Sequence, residues 1–168
     1  MLFKELEDKY FKNEGFSSIR RTVRGLVKDA DGNFVMLKIE GEDFFGIRNH
    51  YETPGGGVEV GEGYEKALLR EMEEELGVLC EIESFLGMVV GHYNLLNRIN
   101  VERYYVCRIV GETSSNQTDV EKVLIKGIEH KPLNEWLEIL KTGDSSVDKL
   151  VHDRDYQAFK YYADQCNM

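Results

Sequence analysis

Apolar and polar residues alternate, or apolar residues run together in short blocks, along several stretches of the chain. Ile19–Lys28 and Phe34–Ile39 read as strands joined by an Asp29-Ala30-Asp31-Gly32 turn. Val78–Val90 and Glu102–Val110 read as further strands, with Tyr104, Tyr105, Val106 and Ile109 supplying β propensity. Val120–Ile128 is predicted to be another. Helical spacing replaces alternation in three places. From Gly63 to Leu76, residues Leu68, Leu69, Met72 and Leu76 share one face at about 100° per residue, and Gly77 stands where a helix-terminating glycine is expected. A second helix is predicted from near Pro132 through Trp136 to Leu140. A third runs from Val147 to about Ala163 with Leu150, Val151, Ala158 and Phe159 as its apolar stripe. Leu2–Tyr10 is compatible with a short helix or a loose arm. Strands interleaved with helices predict an α/β layered fold.

Length and composition add bounds. At 168 residues, with 42% hydrophobic residues and two prolines, the chain suits one domain over residues 1–168, without linker, repeat or low-complexity segment. Its three cysteines, Cys80, Cys107 and Cys166, are far apart and form no CxxC. Cys80 and Cys107 lie in apolar runs and read as buried thiols, which fits a reducing cytoplasm. The first residues carry no apolar signal core, and no segment is long enough to span a membrane. A net charge of −10 argues against a nucleic acid polymer as partner. It does not argue against a small polyphosphate, because a bound cation reverses the local field. Much of the negative charge lies between Glu59 and Glu75.

That acidic segment carries the chemistry. Thr53-Pro54-Gly55-Gly56-Gly57 cannot be helical, since Pro54 fixes its φ and three glycines favour an irregular path close to a ligand. On the helix that follows, Arg70, Glu71, Glu74 and Glu75 occupy an arc beside the apolar face. Like charges at this spacing destabilise a helix by about 0.2–0.5 kcal/mol per pair. Arg70 offsets one carboxylate but not the cluster. Hard oxygen donors in excess of local positive charge suit Mg²⁺ or Mn²⁺ together with phosphate.

The segment resembles the signature of the Nudix hydrolases (MutT-like): a Gly, five residues, a Glu, seven residues, then Arg-Glu-aliphatic-any-Glu-Glu-any-Gly-aliphatic. Gly56, Glu62, Arg70, Glu71, Met72, Glu74, Glu75, Gly77 and Val78 fill every fixed position, so the box covers residues 56–78. The resemblance implies a Nudix fold, a mixed central β-sheet sandwiched between α-helices. It implies that Glu71, Glu74 and Glu75 bind metal, with Gly56 and Glu62 assisting, and that Arg70 orients a carboxylate. Gly56 and Gly57 would let the loop wrap the metal-binding helix. Tyr51-Glu52-Thr53-Pro54 stands where the family often has Trp-any-Leu-Pro. Family enzymes differ in which acid takes the proton. Glu112, Asp119 and Glu121 lie in a loop-like segment and are candidates, with Glu121 preferred.

Outside the box, Arg24 and Arg48 are candidates to pair with substrate phosphates. Phe44, Phe45 and Tyr51 are candidates to stack on a base. His50 and His92 read as structural or solvent-facing, and Trp136 as packing. The expected activity is metal-dependent hydrolysis of a phosphoanhydride in a nucleoside diphosphate linked to another moiety, foremost a (d)NTP pyrophosphohydrolase. The alternatives are a nucleotide-sugar or dinucleoside polyphosphate hydrolase, or a non-catalytic ligand-sensing domain. The partner is then a small nucleotide derivative, and a homodimer is the default assembly.

Overall fold

The computed structural model describes residues 1–166. Among them, seven strands form one mixed sheet in the order β1-β5-β6-β2-β3-β4, with β7 also pairing to β3. They are β1 (Leu2–Leu6), β2 (Ser18–Lys28), β3 (Phe34–Asp43), β4 (Gly46–Glu52), β5 (Val78–Tyr93), β6 (Arg98–Glu112) and β7 (Ile125–Lys131). Helix α1 (Tyr64–Glu71) continues as a π-helical turn over Met72–Leu76. The other helices are α2 (Asp119–Leu124), α3 (Leu133–Ile139) and α4 (Ser146–Cys166). No helix among the described residues is long and apolar enough to cross a membrane.

Alternation along the strands divides the core into two layers. Val23 and Val27 of β2, Val35 and Leu37 of β3, and Tyr105 and Cys107 of β6 face α1, where they pack on Ala67, Leu68, Met72 and Leu76. Their neighbours Leu26, Phe34, Met36 and Tyr104 face the opposite way, onto Trp136 and Leu140 and onto Ala158 and Phe159 of α4. The result is helix, sheet, helix. Trp136 is buried and donates its indole N–H to the Phe34 carbonyl at 2.8 Å. Burial pushes the Cys80 thiol up to about 11 and the Cys107 thiol up to about 12.

Three elements differ from the sequence expectation. Leu2–Leu6 is a strand, parallel to β5 at the sheet edge, rather than a helix or arm. Gly46–Glu52 forms β4 against β3. The apolar run from Val120 splits into α2 and β7, because Thr118 and Glu121 close a reciprocal capping box that starts a helix. Val120 and Val123 are consequently exposed, while Leu124 and Ile125 pack against the core.

Strands β2 and β3 pair only at Val27–Val35 and Lys28–Phe34, then splay apart. The glycine loop enters that gap and runs along β2. Val23 N–H donates to the Gly56 carbonyl at 3.0 Å, Gly25 N–H to Pro54 at 2.9 Å, and Val58 N–H to Arg21 at 3.1 Å. From the α4 side, the buried Asp155 carboxylate accepts from Thr53 N–H at 2.8 Å, Thr53 Oγ1 at 3.0 Å and Tyr104 Oη at 2.6 Å. Arg154 adds a bond from Nε at 2.8 Å. Thr53 is therefore a structural hydroxyl.

Burial alone would raise the Asp155 pKa, but Arg154 outweighs it, with help from Arg24 and Tyr104, and holds the carboxyl below its ordinary value. The stability this supplies is present in full above the unfolded pKa of about 3.9 and is lost as pH falls through the lower folded value. Asp155→Ala should cost about 3–5 kcal/mol near neutral pH, since it strands a buried arginine. In urea melts repeated at falling pH, the gap between wild type and variant should close only below about pH 4.

Candidate active site

The acids of α1 are placed by its winding. In an α-helix Glu74 and Glu75 would flank the direction of Glu71 about equally. The wider π turn changes that spacing and brings Glu71 and Glu75 together. Gly77 ends the turn at φ +66°, in the left-handed region, and the following segment caps it. Thr113 N–H donates to the Gly77 carbonyl at 2.8 Å, Asn116 N–H to Glu74 at 3.1 Å and Gln117 Nε2 to Glu75 at 2.9 Å. This docking carries Thr118 and α2 against the helix end. There Glu121 is anchored through one carboxylate oxygen, which accepts from Thr118 N–H at 2.6 Å.

Glu71, Glu75 and Glu121 thus each present a carboxylate oxygen, and the three lie within 4.8 Å of one another. Glu71 and Glu75 are buried. Burial pushes the Glu71 carboxyl up, although Arg70 opposes it. Glu75 is pushed well above the usual carboxylate range, by burial first and the nearby Glu52 second, despite a 2.7 Å bond from Gly55 N–H. Three convergent hard oxygens with charge to spare fit Mg²⁺ or Mn²⁺.

The remaining box residues surround this trio. Arg70 donates to Glu62 at 3.0 Å through both Nε and Nη2, to Glu71 at 2.8 Å, to Glu74 at 3.0 Å and to the Gly57 carbonyl at 3.1 Å. Glu62 and Glu74 are thus both held on Arg70 rather than in the trio, and the carboxylates hold Arg70 firmly charged. The Gly56 carbonyl accepts from Val23, and the residue's contact with the acids is through its missing side chain. A Cβ on Gly56 would lie 2.5 Å from Glu71 Oε1.

The next residue backs onto the opposite charge, since a Cβ on Gly57 would lie 3.1 Å from Arg20 Nη2. Beyond it, between the sheet and α4, is a cavity of about 270 Å³ lined by Arg20, Arg24, Arg48, Arg98, Asn100 and Arg154. Phe45, Tyr93 and Leu96 contribute apolar wall. Arg24 is buried and committed to structure, donating to the Thr53 carbonyl at 2.9 Å and the Gly55 carbonyl at 3.1 Å. Burial and Arg154 would lower its pKa, but Glu52 and Glu102 outweigh them. Arg48 is paired with Asp43 at 2.7 Å and lies over the Phe45 ring.

Of the proposed stacking residues only Phe45 lines the cavity. Phe44 is 86% exposed, and Tyr51 packs on Trp136 and donates its hydroxyl to Glu129 at 2.7 Å. His50 is buried on Asp148 at 2.7 Å, and His92 meets Glu5 at 3.0 Å. Arg20, Arg98 and Asn100 were not singled out from the sequence. Their signal is a run of polar residues at alternate positions, Arg20-x-Thr22-x-Arg24 and Arg98-x-Asn100-x-Glu102, which places them on one face of each strand.

Comparison with known proteins identifies the family. The NUDIX domain family model matches residues 18–151. An ADP-ribose pyrophosphatase of Methanocaldococcus jannaschii is 35% identical over 66 residues, which are 39% of this chain and 37% of that protein. An 8-oxo-dGTP diphosphatase of Haemophilus influenzae is 37% identical over 63 residues, 37% of this chain and 44% of that protein. The matches therefore span less than half of either relative. A NUDIX hydrolase from Nitrosomonas europaea superposes with a TM-score of 0.66 at 15% identity, covering 87% of this chain and 89% of that one. A MutT protein from Methanosarcina mazei gives 0.64 at 15% identity, covering 92% and 99%. At these identities the two structures share the fold.

Gly56→Ala tests the packing of loop on acid. The methyl group must displace the Glu71 carboxylate, so Mn²⁺ affinity by calorimetry should fall at least about ten-fold, while circular dichroism keeps the wild-type spectrum.

Proposed function

The chain belongs to the Nudix family, and on that premise we propose that it hydrolyses a phosphoanhydride bond in a nucleoside diphosphate linked to another group. The leading substrate is a nucleoside triphosphate, cleaved to monophosphate and pyrophosphate. The observation that carries this reading is the opposition across one loop of an acidic trio, Glu71, Glu75 and Glu121, and an arginine-lined cavity of nucleoside size. The two named relatives act on different molecules, a nucleoside triphosphate and a nucleoside diphosphate sugar. What those molecules share is a nucleoside on a diphosphate. A nucleotide sugar or a dinucleoside polyphosphate is the second reading, favoured by the several arginines along the cavity. A sensing role is disfavoured because every acid of the box is kept.

Glu71 and Glu75 would hold a divalent cation, which would neutralise phosphate oxygens and make water more acidic, while Glu121 faces the same point and Glu74 stays on Arg70. The residues do the rest. Water attacks one phosphorus in line, a new P–O bond forming as the bridging P–O bond breaks. Glu121, whose second oxygen is free of the capping bond, takes the proton. The departing phosphate leaves as its anion. Arg70 keeps the acids oriented, and Arg24 fixes the loop through the Thr53 and Gly55 carbonyls.

The test is release of phosphate or pyrophosphate from nucleoside triphosphates, ADP-ribose, nucleotide sugars and diadenosine polyphosphates, with Mg²⁺ and with EDTA. Metal-dependent turnover of one class is expected. Glu71→Gln and Glu121→Gln should each lower kcat by about 10²–10⁴-fold in proteins that melt within a few degrees of wild type. Silence across the panel would sink the hydrolase reading, and full activity in Glu121→Gln would remove that residue from the proton transfer.

A further inference from the structure

Arginines in the cavity fall into two groups. Arg24 and Arg154 are neutralised within the fold by Glu52, Glu102 and Asp155. Arg20 and Arg98 form no ion pair among the described residues, although both line the same space. The parallel pairing of β2 and β6 sets Arg20 directly beside Asn100, with Ser18 beside Arg98. Burial lowers the Arg98 pKa and the charge of the exposed Arg20 lowers it further, while Tyr93 and Glu102 oppose them from a distance, so neither arginine has an anion in direct contact among the described residues. Asp8 also lines the cavity, but its carboxylate is occupied by the backbone N–H groups of Tyr10, Phe11 and Asn94.

Polar atoms at the same place lack partners. Arg98 Nε and Asn100 Oδ1 are buried without a hydrogen bond among the described residues. Asn100 is only 4% exposed. Its amide cannot simply be turned over, because Nδ2 donates to the Glu102 carboxylate at 3.0 Å and the flipped oxygen would face that anion. A buried acceptor and a buried charged donor left without partners are costly, and a ligand that supplies those partners recovers the cost. A ligand that satisfies both must offer an acceptor to Arg98 and a donor to Asn100. A neutral base edge can do that, but it brings no anion to Arg20 and Arg98, which have no ion pair among the described residues.

We infer that Arg20, Arg98 and Asn100 form a subsite for a phosphate group beyond the bond that is cleaved, with a sugar hydroxyl of the ligand or a water held by the phosphate donating to Asn100 Oδ1. This rests on the hydrolase reading for its role in turnover, though not for binding itself. The phosphate has two possible sources with one chemistry: the terminal phosphate of a triphosphate, or a phosphate ester on the sugar at the distal end. Guanidinium pairs suit either, because their N–H forks match phosphate oxygens. The subsite makes Arg20, Arg98 and Asn100 specificity residues that select the more highly phosphorylated of two related substrates.

Calorimetry with ribose 5-phosphate in EDTA reads the subsite apart from metal and turnover. Wild type should bind ribose 5-phosphate and not ribose. Arg98→Leu and Asn100→Leu should each weaken binding at least about ten-fold, with Arg98→Lys recovering part of it. Kinetics then separates the sources. ATP against ADP reports a terminal phosphate, and 2′-phospho-ADP-ribose against ADP-ribose reports a sugar phosphate. In one pair, Arg98→Leu should raise KM about ten-fold for the more phosphorylated member only, with kcat unchanged. Equal loss for both members, or no binding of ribose 5-phosphate by wild type, would overturn the subsite while leaving the hydrolase reading intact. Binding of ribose 5-phosphate without turnover of any compound would retain the subsite and sink the hydrolase reading.

Discussion

The site depends on holding a side-chain-free stretch of backbone against β2, in the gap where β3 turns away. Three sets of bonds do this. The loop pairs with β2 as a short extra strand, Glu75 accepts from Gly55 N–H beneath it, and Arg24 clamps the Thr53 and Gly55 carbonyls. Asp155 then ties Thr53 to the C-terminal helix. A Cβ on Gly55, whose φ is +137°, would run into the Val23 carbonyl, and one on Gly56 into Glu71. Only glycine permits this thickness of wall.

Because the wall is one backbone thick, opposite charges stand on its two sides. On the α1 side, burial presses Glu71 and Glu75 toward their neutral forms, and a bound cation would restore their charge. On the α4 side, Arg98 is pressed the other way by burial and Arg20. On the first side Arg70 answers Glu71 but nothing cationic touches Glu75, and on the second Arg20 and Arg98 form no ion pair among the described residues. The metal–polyphosphate ligand we propose would bring a cation to the first and anions to the second. The net charge of −10 thus conceals a cationic cavity next to the acidic helix.

Networks that look catalytic on paper are in part structural. Arg24 and Thr53 spend their bonds on the loop, and Glu62 and Glu74 spend theirs on Arg70. Their role is to fix geometry. Buried ion pairs of this kind contribute little net stability but are costly to break singly, which couples the shape of the cavity to the integrity of α4.

How far the sequence could be read follows from how local each feature is. The strand faces of β2, β3 and β6 and the apolar face of α1 were legible, because a periodicity of two or of 3.6 residues is imposed by the backbone itself. The glycine loop, the box acids and the stop at Gly77 were legible for the same reason, their spacing being covalent. Misreadings arose where short-range preferences compete. Val120 and Val123 favour a strand by propensity, yet the Thr118–Glu121 capping box starts a helix. Leu2–Leu6 is ambiguous alone and becomes a strand only because β5 offers an edge. Tertiary structure alone decided that Glu121 meets Glu71 and Glu75, that Arg20 lies beside Asn100, and which arginines are neutralised. Those outcomes depend on strand register, loop docking and competition among buried groups for partners, all set by contacts between residues far apart in the chain.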